Sequence, residues 1–225
     1  MKINHVLLGF FLVFFFLRVS ASDDYYNEIK KDAAAGNAHS QFKLGRMYMI
    51  LSGDYDKAAI WIGKSARQGY PEAQADMGSL YYYGQGVKKN IKKAEEWFIK
   101  ASNNGNPRAQ NDLAMIYKIS GSKSNSFDCD KILSLLNKSA EKDYDLAYLN
   151  MGDLYSEGNC LNRNMSKAVD WWEKAATKGN AQAEFNLYIS YNNGEGVYEN
   201  QYTAGVYLRK SCDHGYTKAC DIINH

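Results

Sequence analysis

The side chains of this 225-residue chain whose types could do chemistry are four cysteines, a Ser-x-x-Lys tetrad and three histidines, His39, His214 and His225, beyond the first twenty residues. Ser120-Gly121-Ser122-Lys123 has the spacing of a nucleophile motif in penicillin-recognising enzymes. It lacks the companion Ser-Asp-Asn and Lys-Thr-Gly sequences, and its Ser/Lys/Gly composition reads as a loop rather than the opening of a helix. The histidines lie near the start, near the end and at the C-terminus, so no His-centred triad assembles. Gly84-Gln85-Gly86 and Gly194-Glu195-Gly196 look like fragments of phosphate loops, but neither follows a strand, and they read as turn glycines. No Cys-x-x-Cys and no paired His supports a metal or redox site. The sequence therefore indicates no catalytic residue, no metal and no cofactor, and leaves the cysteines as disulfide partners with three possible connectivities.

Which cysteines meet depends on the elements that carry them, and those elements repeat. A phrase of the form Lys-small-small-x-x-Gly-Tyr/Asn recurs with its Gly slot at 36, 69, 105, 143, 179 and 215, spaced by 33, 36, 38, 36 and 36 residues, Asp143 standing in for one Gly. After each slot comes a small residue four places on (Ser40, Ala73, Ala109, Ala147, Ala183, Ala219). An apolar residue follows four further on (Leu44, Met77, Leu113, Met151, Leu187, Ile223), and then Tyr48, Tyr81, Tyr117, Tyr155 or Tyr191. Steps of four fall on one helical face.

A second helix opens at Asp54, Asn90, Asp128, Asn164 or Asn200, residues whose side-chain oxygen can cap free amides. It carries a small or branched residue and then Trp61, Trp97, Leu135, Trp171 or Tyr207, large side chains that fill the gap to the first helix. It ends at the slot, where a left-handed cap suits glycine. The aromatic stripes thus read as core. The only prolines, Pro71 and Pro107, stand where Pro starts a helix without losing a needed donor. The expected fold is all-α, a right-handed α/α solenoid of about five helix pairs with a capping helix at each end, 23–35 and 216–223.

Within that frame Cys212 and Cys220 lie three residues before and five after the Gly215 turn, at comparable depth on antiparallel helices whose facing Cα atoms are roughly 4–6 Å apart, inside the disulfide range. Cys129 opens the second helix of the third unit and Cys160 occupies the inter-helix loop of the fourth, on one edge of a solenoid, so the expected second bridge is Cys129–Cys160. By the chain-entropy model the two rings stabilise by roughly 2.5 and 3.5–4 kcal/mol.

The chain opens with Lys2 and an apolar run, Val6–Leu17, stopped by Arg18 and followed by Val19-Ser20-Ala21. This reads as a secretory signal, 1–21, too short to be a membrane span. Of 27 basic residues, removal of Lys2 and Arg18 leaves 25 against 25 acidic ones, which takes away the electrostatic argument for nucleic acid. The expected product, 22–225, is secreted or periplasmic, a monomer with no membrane span. Asn137-Lys138-Ser139 and Asn164-Met165-Ser166 match the glycosylation sequon and matter only in a eukaryotic secretory route.

Tyr81-Tyr82-Tyr83-Gly84-Gln85-Gly86-Val87 with Asn90, Lys93-Ala94, Trp97 and Lys100-Ala101 resembles the Sel-1-like repeat, a tetratricopeptide relative, and Tyr191–Asn200 repeats the pattern. The resemblance covers essentially 23–223 in units 37–69, 70–105, 106–143, 144–179 and 180–215. Three units depart from it: the first lacks the Gly-x-Gly loop, the third replaces it with Ile119–Phe127, and the fifth has Tyr188 at a Gly position, so these should stack least ideally. The Cys-x7-Cys spacing is similar to that of secreted cysteine-rich members. The family resemblance implies a protein-binding adaptor, regulator or immunity-type inhibitor; some cysteine-rich members imply instead β-lactam binding or weak β-lactamase activity.

In stacked hairpins the first helices line the concave face. Positions six, ten and thirteen past each slot are not needed for packing: Phe42, Arg46 and Met49; Ala75, Ser79 and Tyr82; Asn111, Met115 and Lys118; Leu149, Asp153 and Ser156; Phe185, Ile189 and Asn192. Large apolar side chains among scattered charges make an interface core with a polar rim, and Phe42, Arg46, Met49, Tyr82, Asn111, Lys118, Asp153 and Phe185 are the expected contacts with an unidentified protein. Phe42 and Phe185 equally suit packing on neighbouring helices.

Overall fold

The computed structural model describes residues 24–124 and 128–224; the expected signal segment and His225 lie outside them. Among the described residues all regular structure is helical. The chain divides into two compact units that meet in sequence between Ala101 and Ser102. Unit 1 holds α1 (24–34), α2 (Ala38–Met47), α3 (Tyr55–Arg67), α4 (Pro71–Tyr83) and nearly all of α5 (Ile91–Asn103). Unit 2 holds α6 (Pro107–Ser124), α7 (Cys129–Glu141), α8 (Asp145–Glu157), α9 (Met165–Thr177), α10 (Ala181–Asn193), α11 (Gln201–Asp213) and α12 (Thr217–Asn224). In each unit consecutive helices pack pairwise, the α/α-repeat arrangement that the spacing predicts.

The recurring phrase explains how each pair is joined. Its Lys lies over the aromatic three residues earlier: Lys64 is 4.0 Å from the Trp61 ring centre, Lys100 4.5 Å from Trp97 and Lys174 4.1 Å from Trp171. These tryptophans are half-buried; the residue after each, Ile62, Phe98 or Trp172, is the buried one. At the later slots, 69 to 215, the next residue of the phrase is fully buried, and where it is Ser its hydroxyl donates to the head of the partner helix at 2.7 Å: Ser65 to Ala38, Ser139 to Pro107 and Ser211 to Ala181. The slot takes a left-handed conformation throughout, including Asp143 (φ 59°), the one non-glycine with positive φ among the described residues.

At the slots 36, 69, 105 and 143 one position links a repeat to the next. Five residues past the slot, a polar side chain donates to the carbonyl three residues before it: Gln41 to Ala33, Gln74 to Ala66, Gln110 to Ser102 and Tyr148 to Ala140. At the last slot these two positions are Cys220 and Cys212, joined as a disulfide with Cα atoms 4.7 Å apart. Cys129 and Cys160 are joined with Cα atoms 5.1 Å apart. First and second helices approach closely: a Cβ on Gly152 would lie 2.4 Å from the Trp172 ring.

The departures from the repeat have different outcomes. In regular units a left-handed Gly stops the first helix three residues after its Tyr, as Gly84, Gly158 and Gly194 do. In the first unit Gly comes five residues after Tyr48, at Gly53, and the chain takes up the extra residues as a π-helical turn, Tyr48–Ser52. The third unit has Ser120 at the stop position, and α6 runs on to Ser124, so the expected loop at 119–127 is helical over its first six residues. In the fifth unit Ser211 keeps the same bond to its partner helix as in regular units, and the Tyr188 ring lies 5.6 Å from that of Phe185.

Candidate functional site

The first helices and the turns that follow them carry side chains that can act. In unit 1, the half-buried Phe42 packs against the core between α3 and α4 and, at a tilt of 48° with ring centres 5.1 Å apart, on Tyr70; the Arg46 guanidinium lies 5.9 Å from the Phe42 ring and 3.5 Å from the carboxylate of Asp76, which is 4 % exposed. The outer side of this group is a cavity of about 380 Å³ bounded by Tyr25, Phe42, Lys43, Arg46, Ile50 and Leu51. The π-turn puts Ile50 and Leu51 there with 62 % and 76 % of their surface exposed. Met49, on the same turn, packs against the core between α3 and α4, as Phe42 does. Tyr82 makes an edge contact with Tyr83 at 5.0 Å and lies under Lys89.

The corresponding helices of unit 2 carry a polar ladder. Asn111 is buried and accepts from Asn150 at 2.7 Å, and its own amide donates to Asp112. It therefore presents no side chain to a partner: a polar residue six past the slot is read as free, but here it satisfies the next helix. Asp153 accepts from the Trp172 indole at 3.0 Å and from Asn186 at 3.3 Å, while Lys118 pairs with Glu157 at 2.7 Å. Burial pushes the Asp153 carboxyl above the usual carboxylate range, opposed by the indole N–H and the Lys118 charge. Burial likewise raises Asp112, and the Tyr144 hydroxyl is pushed up to about 12 by burial and the nearby Asp112. Phe185 stacks on Tyr216 with ring centres 4.8 Å apart, as Phe42 does on Tyr70.

The elements bring Phe42 and Arg46 to one apolar cavity and Lys118 and Asp153 to one polar ladder, with Met49 and Asn111 turned to packing. Sequence reasoning missed Tyr25, Lys43, Ile50 and Leu51. The usable signal was Leu51, a large apolar residue at the position where Gly84, Gly158 and Gly194 stand in other units, with Ile50 beside it.

The catalytic alternatives find no assembly. Ser120 lies near the C-terminal end of α6, not at a helix start, and the Lys123 side chain lies outside the described residues. His39 bonds the Tyr70 hydroxyl at 2.8 Å and His214 the buried Glu184 at 2.8 Å. Among the described residues no three of His, Cys, Asp and Glu are placed to hold a metal, and no helix is long and apolar enough to cross a membrane.

The comparisons agree with this architecture. The Sel1 repeat family model matches residues 38–70, 71–106, 145–180 and 181–216. The chain is 38 % identical over 166 residues, 74 % of its length, to DAP3-binding cell death enhancer 1 of Rattus norvegicus, of which it covers 32 %; it spans about a third of the curated relatives it matches. Among solved structures, a protective antigen of uropathogenic Escherichia coli with an SLR fold is similar at TM-score 0.72 and 30 % identity, over 86 % of this chain and 42 % of that one. A Sel1 repeat protein of Oxalobacter formigenes is similar at TM-score 0.74 and 26 % identity, over 83 % and 76 %.

Proposed function

This chain belongs to the Sel1-repeat family, and we propose from that premise that it is an exported, non-enzymatic module that captures another protein on its first helices. One observation carries the reading: in unit 1 Tyr25, Ile50 and Leu51 stay 51 %, 62 % and 76 % exposed around one apolar cavity that the half-buried Phe42 also lines. Exposed apolar surface beside charged side chains is the make-up of a protein contact, not of a solvated face. The rat relative's own name describes binding to a protein, which favours the same class of activity here. Two disulfides and an apolar N-terminal run support an oxidising compartment outside the cytoplasm.

The test is a photo-crosslinking residue in place of Tyr82, expressed in the native host. A single discrete adduct with one protein is expected there and none from the same residue at Ile60, an exposed position of the second-helix face. Equal adducts at both positions, or none, contradict the proposal. Nitrocefin is expected to stay intact with the purified protein, and turnover abolished by Ser120→Ala would favour the β-lactamase reading instead.

A further inference from the structure

The α1–α2 cavity has a composition that says more about its occupant than the repeat does. Its walls are apolar, from Tyr25, Phe42, Ile50 and Leu51, and the charged groups among its lining residues are both cationic, Lys43 and Arg46. Unit 1 breaks the repeat here: the π-turn carries Ile50 and Leu51 to the surface, Leu51 at the position where regular units have their Gly stop. Single π-turns are rare and recur at functional sites. Ile50 and Leu51 remain 62 % and 76 % exposed, so burial does not account for them. A volume of about 380 Å³ holds one or two large side chains and is too small for a folded domain. Arg46 already faces Asp76 at 3.5 Å across its inner side, so the cation that remains for an incoming carboxylate is chiefly Lys43, 5.9 Å from the Tyr25 ring.

We propose that this cavity docks a partner segment presenting a large apolar side chain with an adjacent Asp or Glu, the apolar group entering between Phe42 and Leu51 and the carboxylate meeting Lys43. The inference rests on the protein-capture reading and names the chemistry of the captured segment. Charge of this kind contributes more to the choice of partner and to the rate of encounter than to affinity, while the apolar anchor supplies the hot spot.

The probe is a phage library of random 15-residue peptides, panned against the oxidised full-length protein. Enriched peptides are expected to pair Leu, Ile or Phe with Asp or Glu within four residues. A synthetic winner should bind at least tenfold more weakly when its acids become Lys, and about as weakly to Leu51→Ser protein. The variant Lys43→Glu should invert the preference toward basic peptides. Leu51 is exposed, so an unchanged melting temperature certifies that its variant is folded; Ile50→Ser serves as the second variant. Winners without acidic residues, or binding indifferent to both serine variants, overturn the inference. Winners whose binding is lost only on Phe185→Ala leave protein capture standing and move it to unit 2, whereas no enrichment at all counts against both.

Discussion

The two units are built by the same joints and differ in what they leave on the surface. Ser65 in unit 1 and Ser139 and Ser211 in unit 2 make the same 2.7 Å bond, and Gln41, Gln74 and Gln110 make the same link to the preceding repeat. Yet all four cysteines fall in unit 2, whose first helices carry a ladder of satisfied amides and carboxylates, while unit 1 has no disulfide and an open apolar cavity. A repeat separates the contacts that hold the fold from those that meet a partner, because the joints recur and the exceptions do not. The cavity in unit 1 stands out by being unsupported by any joint.

The comparison is tested most strongly through the disulfides. Cys129→Ser/Cys160→Ser should destabilise unit 2 by roughly 3.5–4 kcal/mol, seen as faster amide exchange in α7 and α8 with α3 unchanged; equal loss in both units would show that they do not differ in how they are held. Next in size, Gly152→Ala sets a methyl against Trp172 and should cost about 1–3 kcal/mol in urea denaturation. A cost near zero would mean that the helices of that pair can separate freely. Ser65→Ala and Ser139→Ala should each cost about 1 kcal/mol, and similar values in the two units would sharpen the claim of shared joints.

The smallest effect concerns Asp153. Burial raises its folded carboxyl above the unfolded value, so its ionisation opposes folding: the contribution is most favourable below the ordinary value near 3.8 and is lost as pH rises through the folded one. Asp153→Asn, which keeps an acceptor for Trp172, should melt no lower than wild type at pH 7, and any advantage should vanish in melts below the ordinary carboxylate range. A variant much less stable at pH 7 would show that the ladder needs the charge.

Much of the fold is legible because its signals are local and repeated. The glycine slot, the Asp and Asn caps and the two prolines each act within one turn of the backbone, and Asn90, Asn164 and Asn200 cap the amides that their spacing indicates. The Lys of the phrase is visible at once, but its place over the Trp face needs the helix to be built. The first helices are less legible because the chain after Tyr48 and after Tyr117 lacks a stop glycine at the regular position: two extra residues are absorbed as a π-turn in one unit, and a longer helix forms in the other. Asn111 shows the limit of face counting, since a polar residue at a position facing outward in one repeat becomes the acceptor for Asn150 of the next helix pair.

Amide hydrogen exchange of the protein alone and in complex with its crosslinked partner tests the central claim most directly. Slowing is expected over 42–51, the segment from Phe42 through the π-turn, with the second helices α3 and α9 unchanged. Protection confined to α3, α9 or the Cys129–Cys160 edge, with 42–51 exchanging as in the free protein, would contradict it.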